Sequence, residues 1–324
     1  MKSLKTKIQF LLPCNRCDFV CLTILYFFLF NMFSCSSLLA DQETSVNKDA
    51  DRLLHFANTL FESKDYYRAI TEYKRFLDYF PLDSRSDVSS FRIGLSFYQS
   101  SHMDEASEHF FQFFKEYPRS AFRPAAWFYA ADSIFQKQDW SIAREEFQMM
   151  ETQSSDKRLV EIALLRKAWI EVSEYKWQDA ASWVQTLHER GCSLTGLSDF
   201  EKKCLEGETL PQKSPRLAGL LSAIIPGTGQ IYANRYVDGI VALLLNGAFI
   251  YGAVESFNHD NPTTGSILIF FELGWYTGNI YSAINSSHRF NLYQNRTHSL
   301  LLQNTFPDLY QTNRVLFQFN FTLP

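Results

Sequence analysis

Ala69, Ala106, Ala143 and Ala180 stand 37 residues apart. A fixed period of this length constrains the fold strongly, because each repeat is one supersecondary unit that buries its apolar face only against its neighbours. The register carries other positions with it. Tyr73, Phe110, Phe147 and Val184 follow each alanine by four residues. Phe76, Phe113, Met150 and Leu187 follow by seven, and Tyr66, Met103, Trp140 and Trp177 precede by three. A small residue with large apolar residues at these offsets predicts a helix packed closely on a neighbour. The preceding half of each unit is also periodic, with Leu53, Phe56, Ala57 and Leu60, then Phe91, Gly94, Leu95 and Tyr98. Each unit therefore reads as helix–turn–helix, with Asp65, Asp104, Asp139 and Lys176 at the turn. Four such units cover residues 49–191.

Two segments, YYRAITEYKRFLDYFP and MDEASEHFFQFFKEYP, resemble the second helix of the tetratricopeptide (TPR) repeat, in a version longer than the usual unit. The third and fourth units lack the closing proline that Pro81 and Pro118 supply in the first two. The pattern is similar to repeats of bacterial envelope proteins that act in outer-membrane assembly and envelope constriction. The resemblance implies a solenoid with a concave surface that holds peptides or other envelope proteins. The aromatics Phe110, Phe111, Phe113, Phe114, Tyr117, Trp127, Phe128 and Tyr129 exceed what one helix face needs. They read either as inter-repeat packing or as part of a partner groove.

Residues 214–236 carry no charge between Arg216 and Arg235, yet their middle holds Pro226, Gly227, Gly229, Gln230 and Tyr232. Proline and glycine break a soluble helix, whereas a membrane segment tolerates them when protein or water satisfies the freed backbone. Two further apolar stretches come next, at about 239–254 and 265–284, each near the roughly 20 residues needed to cross a bilayer. Together they define a small membrane module over 214–287. Three crossings are expected, with the repeats outside and Arg235, His288, Arg289 and Arg296 inside, which agrees with the positive-inside tendency. Pro226, Gly227, Gly229, Gln230 and Tyr232, then Asp238 and Gly239, resemble the small hairpin domain known as the TM2-like module. That resemblance implies fold and place rather than an activity.

Polar residues inside apolar segments are costly and mark candidate sites. Glu272 shares a helix face with Tyr276, Asn279 and Ala283, and Asn246 and Gln230 are expected to meet it. The cluster reads either as an ion or proton path or as a neutral carboxyl locked by hydrogen bonds. Gly274 and Gly278 form a small-residue pair suited to close helix approach. Asp238 is expected to pair with Arg235.

The N-terminus is basic (Lys2, Lys5, Lys7, Arg16) and then apolar over 19–34. Residues 1–40 read as a cleaved signal peptide, an uncleaved anchor or a lipidated leader, and all three place the repeats outside the cytoplasm. Four cysteines lie in that leader. Cys192 and Cys204 remain, able either to close a disulfide loop in an oxidising compartment or to stay free. Residues 192–213 read as a hinge with a short helix near Asp199. In the tail, 288–324, Phe317, Phe319, Phe321 and Leu323 alternate with polar residues as a strand does.

With 31 basic and 35 acidic residues the chain is nearly neutral, so nothing in its charge suggests nucleic-acid binding, and none is expected. The seven histidines are scattered, and no phosphate loop or nucleophile elbow is present. No cofactor is expected and no catalytic set is found. The sequence thus predicts an all-α protein: a TPR-like solenoid followed by a small transmembrane helical module. It predicts a non-enzymatic scaffold in the bacterial inner membrane, with its repeats in the periplasm. The competing reading is an accessory subunit of a transport or channel assembly acting through Glu272.

Overall fold

The computed structural model describes residues 47–192 and 194–311, and every regular element among them is helical. The leader with its four cysteines and the strand-like run at 317–323 lie outside the described residues. The chain divides into two compact units, one ending at Ser133 and one beginning at Ile134.

The first unit contains α1 (47–62), α2 (Tyr66–Tyr79), α3 (Ser86–Gln99), α4 (Met103–Glu116) and most of α5 (Arg123–Gln136). Consecutive helices pack, α2 on α3 and α3 on α4. The alanine register lies at their contacts. Ala69, Tyr73, Ala106 and Phe110 are all fully buried. A second small-residue register runs at Ala57, Gly94, Ala131 and Ala168, again at the same 37-residue interval. Its fit is tight at Gly94, where an added Cβ would lie 2.6 Å from the Phe110 ring. The aromatic excess goes into packing. Phe110 stacks on Tyr129 at 5.3 Å, Phe113 on Tyr117 at 4.8 Å, and Phe114 meets Trp127 at 5.1 Å.

The turns repeat too. Lys64, Ser101, Gln138 and Tyr175 all have left-handed backbone, with φ between 63° and 65°. Each is followed by an amide that bonds back five residues, as in Asp65 N–H to Leu60 O and His102 N–H to Phe97 O. This closure satisfies the last carbonyls of the first helix of each unit. Asp65, His102, Asp139 and Lys176 then cap the second helices. His102 therefore holds the position expected of Asp104, which lies two residues inside α4.

The second unit begins with the end of α5 and contains α6 (Trp140–Gln153), α7 (Lys157–Ser173), α8 (Trp177–Glu189) and α9 (Leu197–Glu206). Ala143, Phe147 and Ala180 are buried here as their counterparts are in the first unit. Helix α7 is buried along almost its whole length. Two of its buried charges are paired: Lys167 donates to Glu151 at 2.8 Å, and Glu171 accepts from Arg144 at 3.2 Å. The expected hinge at 192–213 is instead a packed element. Phe200 and Cys204 of α9 are fully enclosed, and Gly207 admits the Trp177 ring so closely that a Cβ would sit 2.4 Å from it.

Next come α10 (Pro215–Ile224), α11 (Thr228–Tyr232), α12 (Tyr236–Asn258), α13 (Pro262–Thr305) and α14 (Pro307–Tyr310). Two expectations are corrected here. Residues 214–236 do not form one crossing helix, because α10 has only 10 residues, about 15 Å at 1.5 Å per residue. The chain breaks at Ile225–Gly227 and restarts as the 5-residue α11. Among the described residues, α12 is the one helix long and apolar enough to cross a membrane. The third apolar stretch does not end near residue 284. It continues as one helix of 44 residues, so 288–305 is helix rather than tail.

The far end of α13 returns to the connector. Asn291 brackets Lys213, accepting its N–H at 2.7 Å and donating to its carbonyl at 2.9 Å. His298 Nε2 meets Lys203 O at 2.8 Å. The three-crossing scheme separated these segments; the structure joins them.

Candidate functional site

The helix break at Pro226 and Gly227 is closed by glycine. Gly227 has φ of 90°, and a Cβ there would fall 2.0 Å from the carbonyl oxygen of Gly239. Only a residue without a side chain permits that backbone approach. Gly229 is equally enclosed, facing Ala218 O at 2.0 Å and Ala283 at 2.7 Å from its would-be Cβ. The broken segment is thereby pressed between α12 and α13.

The freed polar groups form a directed relay. The Gly229 N–H donates to Ser222 Oγ at 3.0 Å, and the Ser222 hydroxyl donates to Gln230 Oε1 at 2.9 Å. Gln230 Nε2 donates to Asn279 Oδ1 at 2.5 Å and to the Asn279 carbonyl at 3.0 Å. Ser222 and Gln230 are essentially inaccessible to solvent. Each acceptor fixes the orientation of the next group, so the two amides have one arrangement. Around the relay, Thr228 Oγ1 donates to Leu221 O at 2.7 Å, and the Tyr276 hydroxyl donates to Ala223 O at 3.0 Å. Tyr232 sits at the boundary, where its hydroxyl accepts the Ser214 N–H at 3.0 Å and the Lys213 ammonium lies over its ring.

Glu272 does not join this network. Gln230 is committed to Asn279, and Asn246 Nδ2 donates to its own helix at Ala242 O, 2.6 Å away. Both Glu272 oxygens, Asn246 Oδ1 and Asn279 Nδ2 are enclosed without a hydrogen-bond partner. The locked carboxyl expected from the sequence is therefore not found; an enclosed, unbonded one stands there. Asp238 pairs with Arg235 as expected. A groove of about 560 Å³ runs along α12 and α13, lined by Asp238, Asn246, Gly274, Gly278 and Asn279. Gly274 and Gly278 have open space where a Cβ would be.

Cys192 and Cys204 are free thiols. Cys204 faces the core from α9 while Cys192 follows the turn after α8, so of the two readings the free-thiol one holds. Burial pushes the Cys204 thiol up to about 12, and it raises Cys192 as well. Among the described residues no cluster of His, Cys, Asp and Glu is suited to a metal ion.

No known protein family matches the sequence, and no curated protein is significantly similar to it.

Proposed function

We propose that this protein is a non-enzymatic, membrane-anchored scaffold of the tetratricopeptide-repeat kind that holds other envelope proteins, with a TM2-like module as its anchor. The observation that supports this best is a groove of about 510 Å³ in the first unit, lined by Tyr67, Ile70, Lys74, Tyr79 and Phe97. Tyr67 is 83% exposed and Tyr79 69% exposed, large rings left in water while Tyr73 and Phe76 of the same helix are fully buried. Exposed apolar patches of this kind mark interaction sites. A photo-crosslinking residue at position 67 of the full chain, in its host membrane, gives a discrete protein adduct under this reading. That adduct is unchanged by Glu272→Gln and lost on Tyr79→Asp.

A second reading rests on Glu272. An enclosed carboxyl without partners is a costly feature in an apolar segment, and it favours an accessory role in transport. Under that reading Glu272→Gln abolishes a membrane flux, and the position-67 adduct is absent.

The scaffold is proposed to sit in the bacterial inner membrane with its α7–α9 end in the periplasm, supported by the signal-like residues 1–40. With α12 and the apolar part of α13 as a hairpin, Lys213, Arg216, Arg235, Arg289 and Arg296 all gather at that same end. This charge pattern supports the opposite orientation. Labelling of Cys192 by an impermeant thiol reagent decides between them. Reaction in cells with only the outer membrane opened supports the periplasmic placement, and reaction only after inner-membrane lysis overturns it.

A further inference from the structure

The second unit grips its own C-terminal segment by the main chain. Arg166 Nη1 donates to the Tyr310 carbonyl at 2.6 Å, and Trp169 Nε1 donates to the Leu309 carbonyl at 3.1 Å. Both donors belong to α7, and both side chains are fully buried. They lie more than a hundred residues away in sequence from the carbonyls they hold. Aromatic rings complete the seat. The Tyr310 ring meets Trp169 edge-on at 5.0 Å and Phe135 at 6.2 Å, while Phe306 meets Phe200 at 5.4 Å. The Arg166 guanidinium lies over Phe135 at 4.8 Å, which holds it in place for its carbonyl.

Three features distinguish this seat from ordinary core packing. The donors recognise carbonyl oxygens, which any peptide of the same trace presents. Besides Tyr310, neighbours outside the segment hold them, Phe135 under Arg166 and Phe200 beside Trp169. The occupant is a separate piece, a 4-residue helix joined to α13 through the non-helical Phe306. If the segment leaves, the guanidinium and the indole N–H lose these acceptors. The site therefore favours being filled.

We propose that the surface formed by Phe135, Arg166, Trp169 and Phe200 is a peptide-binding site. Its ligand is a short segment of the pattern Phe-Pro-x-Leu-Tyr, and residues 306–310 fill it in cis as a latch. A partner protein carrying the same pattern binds there when the latch is displaced. This site is separate from the groove at Tyr67 and Tyr79, so either can fail without the other.

The test uses the full chain in detergent and a fluorescent synthetic peptide of residues 304–311. A tethered occupant competes at an effective concentration on the order of millimolar. Wild-type chain therefore binds the peptide weakly. Tyr310→Ala loosens the latch, and its affinity for the wild-type peptide rises at least about tenfold. The same peptide with Ala in place of Tyr loses that gain. Equal, negligible binding to both chains overturns the proposal, and so does loss of helix content in Tyr310→Ala, which would make the segment part of the core. Hydrogen exchange on the wild-type chain gives an independent reading. Excess peptide speeds exchange at residues 306–311 if it displaces the latch, and unchanged exchange at saturating peptide overturns the proposal.

Discussion

The side-chain amide of Gln230 donates to Asn279 at 2.5 Å, joining the broken segment at the start of the module to the middle of its longest helix. This bond explains why a glutamine belongs in an otherwise apolar stretch. The proline–glycine break frees backbone and hydroxyl groups, and a residue with a donor at one end and an acceptor at the other carries them across to α13. Gln230→Leu removes both ends. It strands the Ser222 hydroxyl and leaves Asn279 Oδ1 without its donor.

The expected cost of Gln230→Leu is about 1–2 kcal/mol, the scale of a buried hydrogen bond lost together with an unmet polar group. Thermal unfolding in detergent, followed through helix content, measures it. A melting temperature equal to that of the parent chain would show that the relay does not hold the module together. Gln230→Glu keeps the acceptor for Ser222 but presents oxygen to Asn279 Oδ1 when ionised, so it is expected to destabilise more at pH 8 than at pH 5.

Gly227→Ala tests the closure of the break. The backbone there has φ of 90°, and the new methyl would sit 2.0 Å from Gly239 O, which cannot shift without moving α12. Gly247 lies within α12 with nothing within 4 Å of a Cβ, so Gly247→Ala keeps the fold and gains helix propensity of up to about 1 kcal/mol. The expected pair of outcomes is loss of folded protein for the first substitution and unchanged or higher yield for the second. Folded protein at parental yield from Gly227→Ala would mean that the turn is not closed in this way.

The parts of this architecture differ in how openly the sequence states them. The alanine register is legible because Ala69, Ala106, Ala143 and Ala180 are each buried against large partners at a fixed offset. The turns are not legible. Lys64, Ser101, Gln138 and Tyr175 adopt left-handed backbone without being glycine, and their side chains give no sign of it. Pro226 and Gly227 mark the break at Ile225–Gly227, but the uncharged run 217–234 still reads as one crossing, since hydropathy records transfer from water and not chain direction. The choice of Asn279 over Glu272 as partner of Gln230 depends on the angle between helices, which no linear pattern encodes. The seating of Leu309 and Tyr310 on α7 rests on carbonyl oxygens as well as rings, and it joins positions 140 and 144 residues apart, which no local pattern encodes.

The two thiols should react at different rates. Cys204 is enclosed and its thiol is pushed up to about 12, whereas Cys192 is half-buried with a smaller rise. The thiolate is the reactive form. In a chain whose four leader cysteines are replaced by serine, an aromatic disulfide reagent at pH 8 titrates one thiol in the folded state and two in denaturant. Two fast equivalents in the folded state would place Cys204 at the surface and remove α9 from the core. No equivalents before reduction would mean that the pair is joined.

His109 supplies a pH test of the first unit. Burial lowers its basicity below the ordinary histidine value, with Lys74 adding to the effect and Glu116 opposing it. Its Nε2 lies 2.8 Å from the Ser90 carbonyl, so the neutral ring donates there. The unfolded chain takes up a proton as pH falls through about 6.5, while the folded chain does so only at lower pH. The unfolded state therefore binds more protons between those two values, and stability falls as pH drops across that window. Below the folded value the loss is complete and levels off. His109→Gln retains a donor for Ser90 without titrating. Chemical denaturation of the parent chain from pH 7.5 to 5 should show a decline that the variant lacks at the same ionic strength. Parallel curves for the two chains would assign the acid sensitivity to other groups.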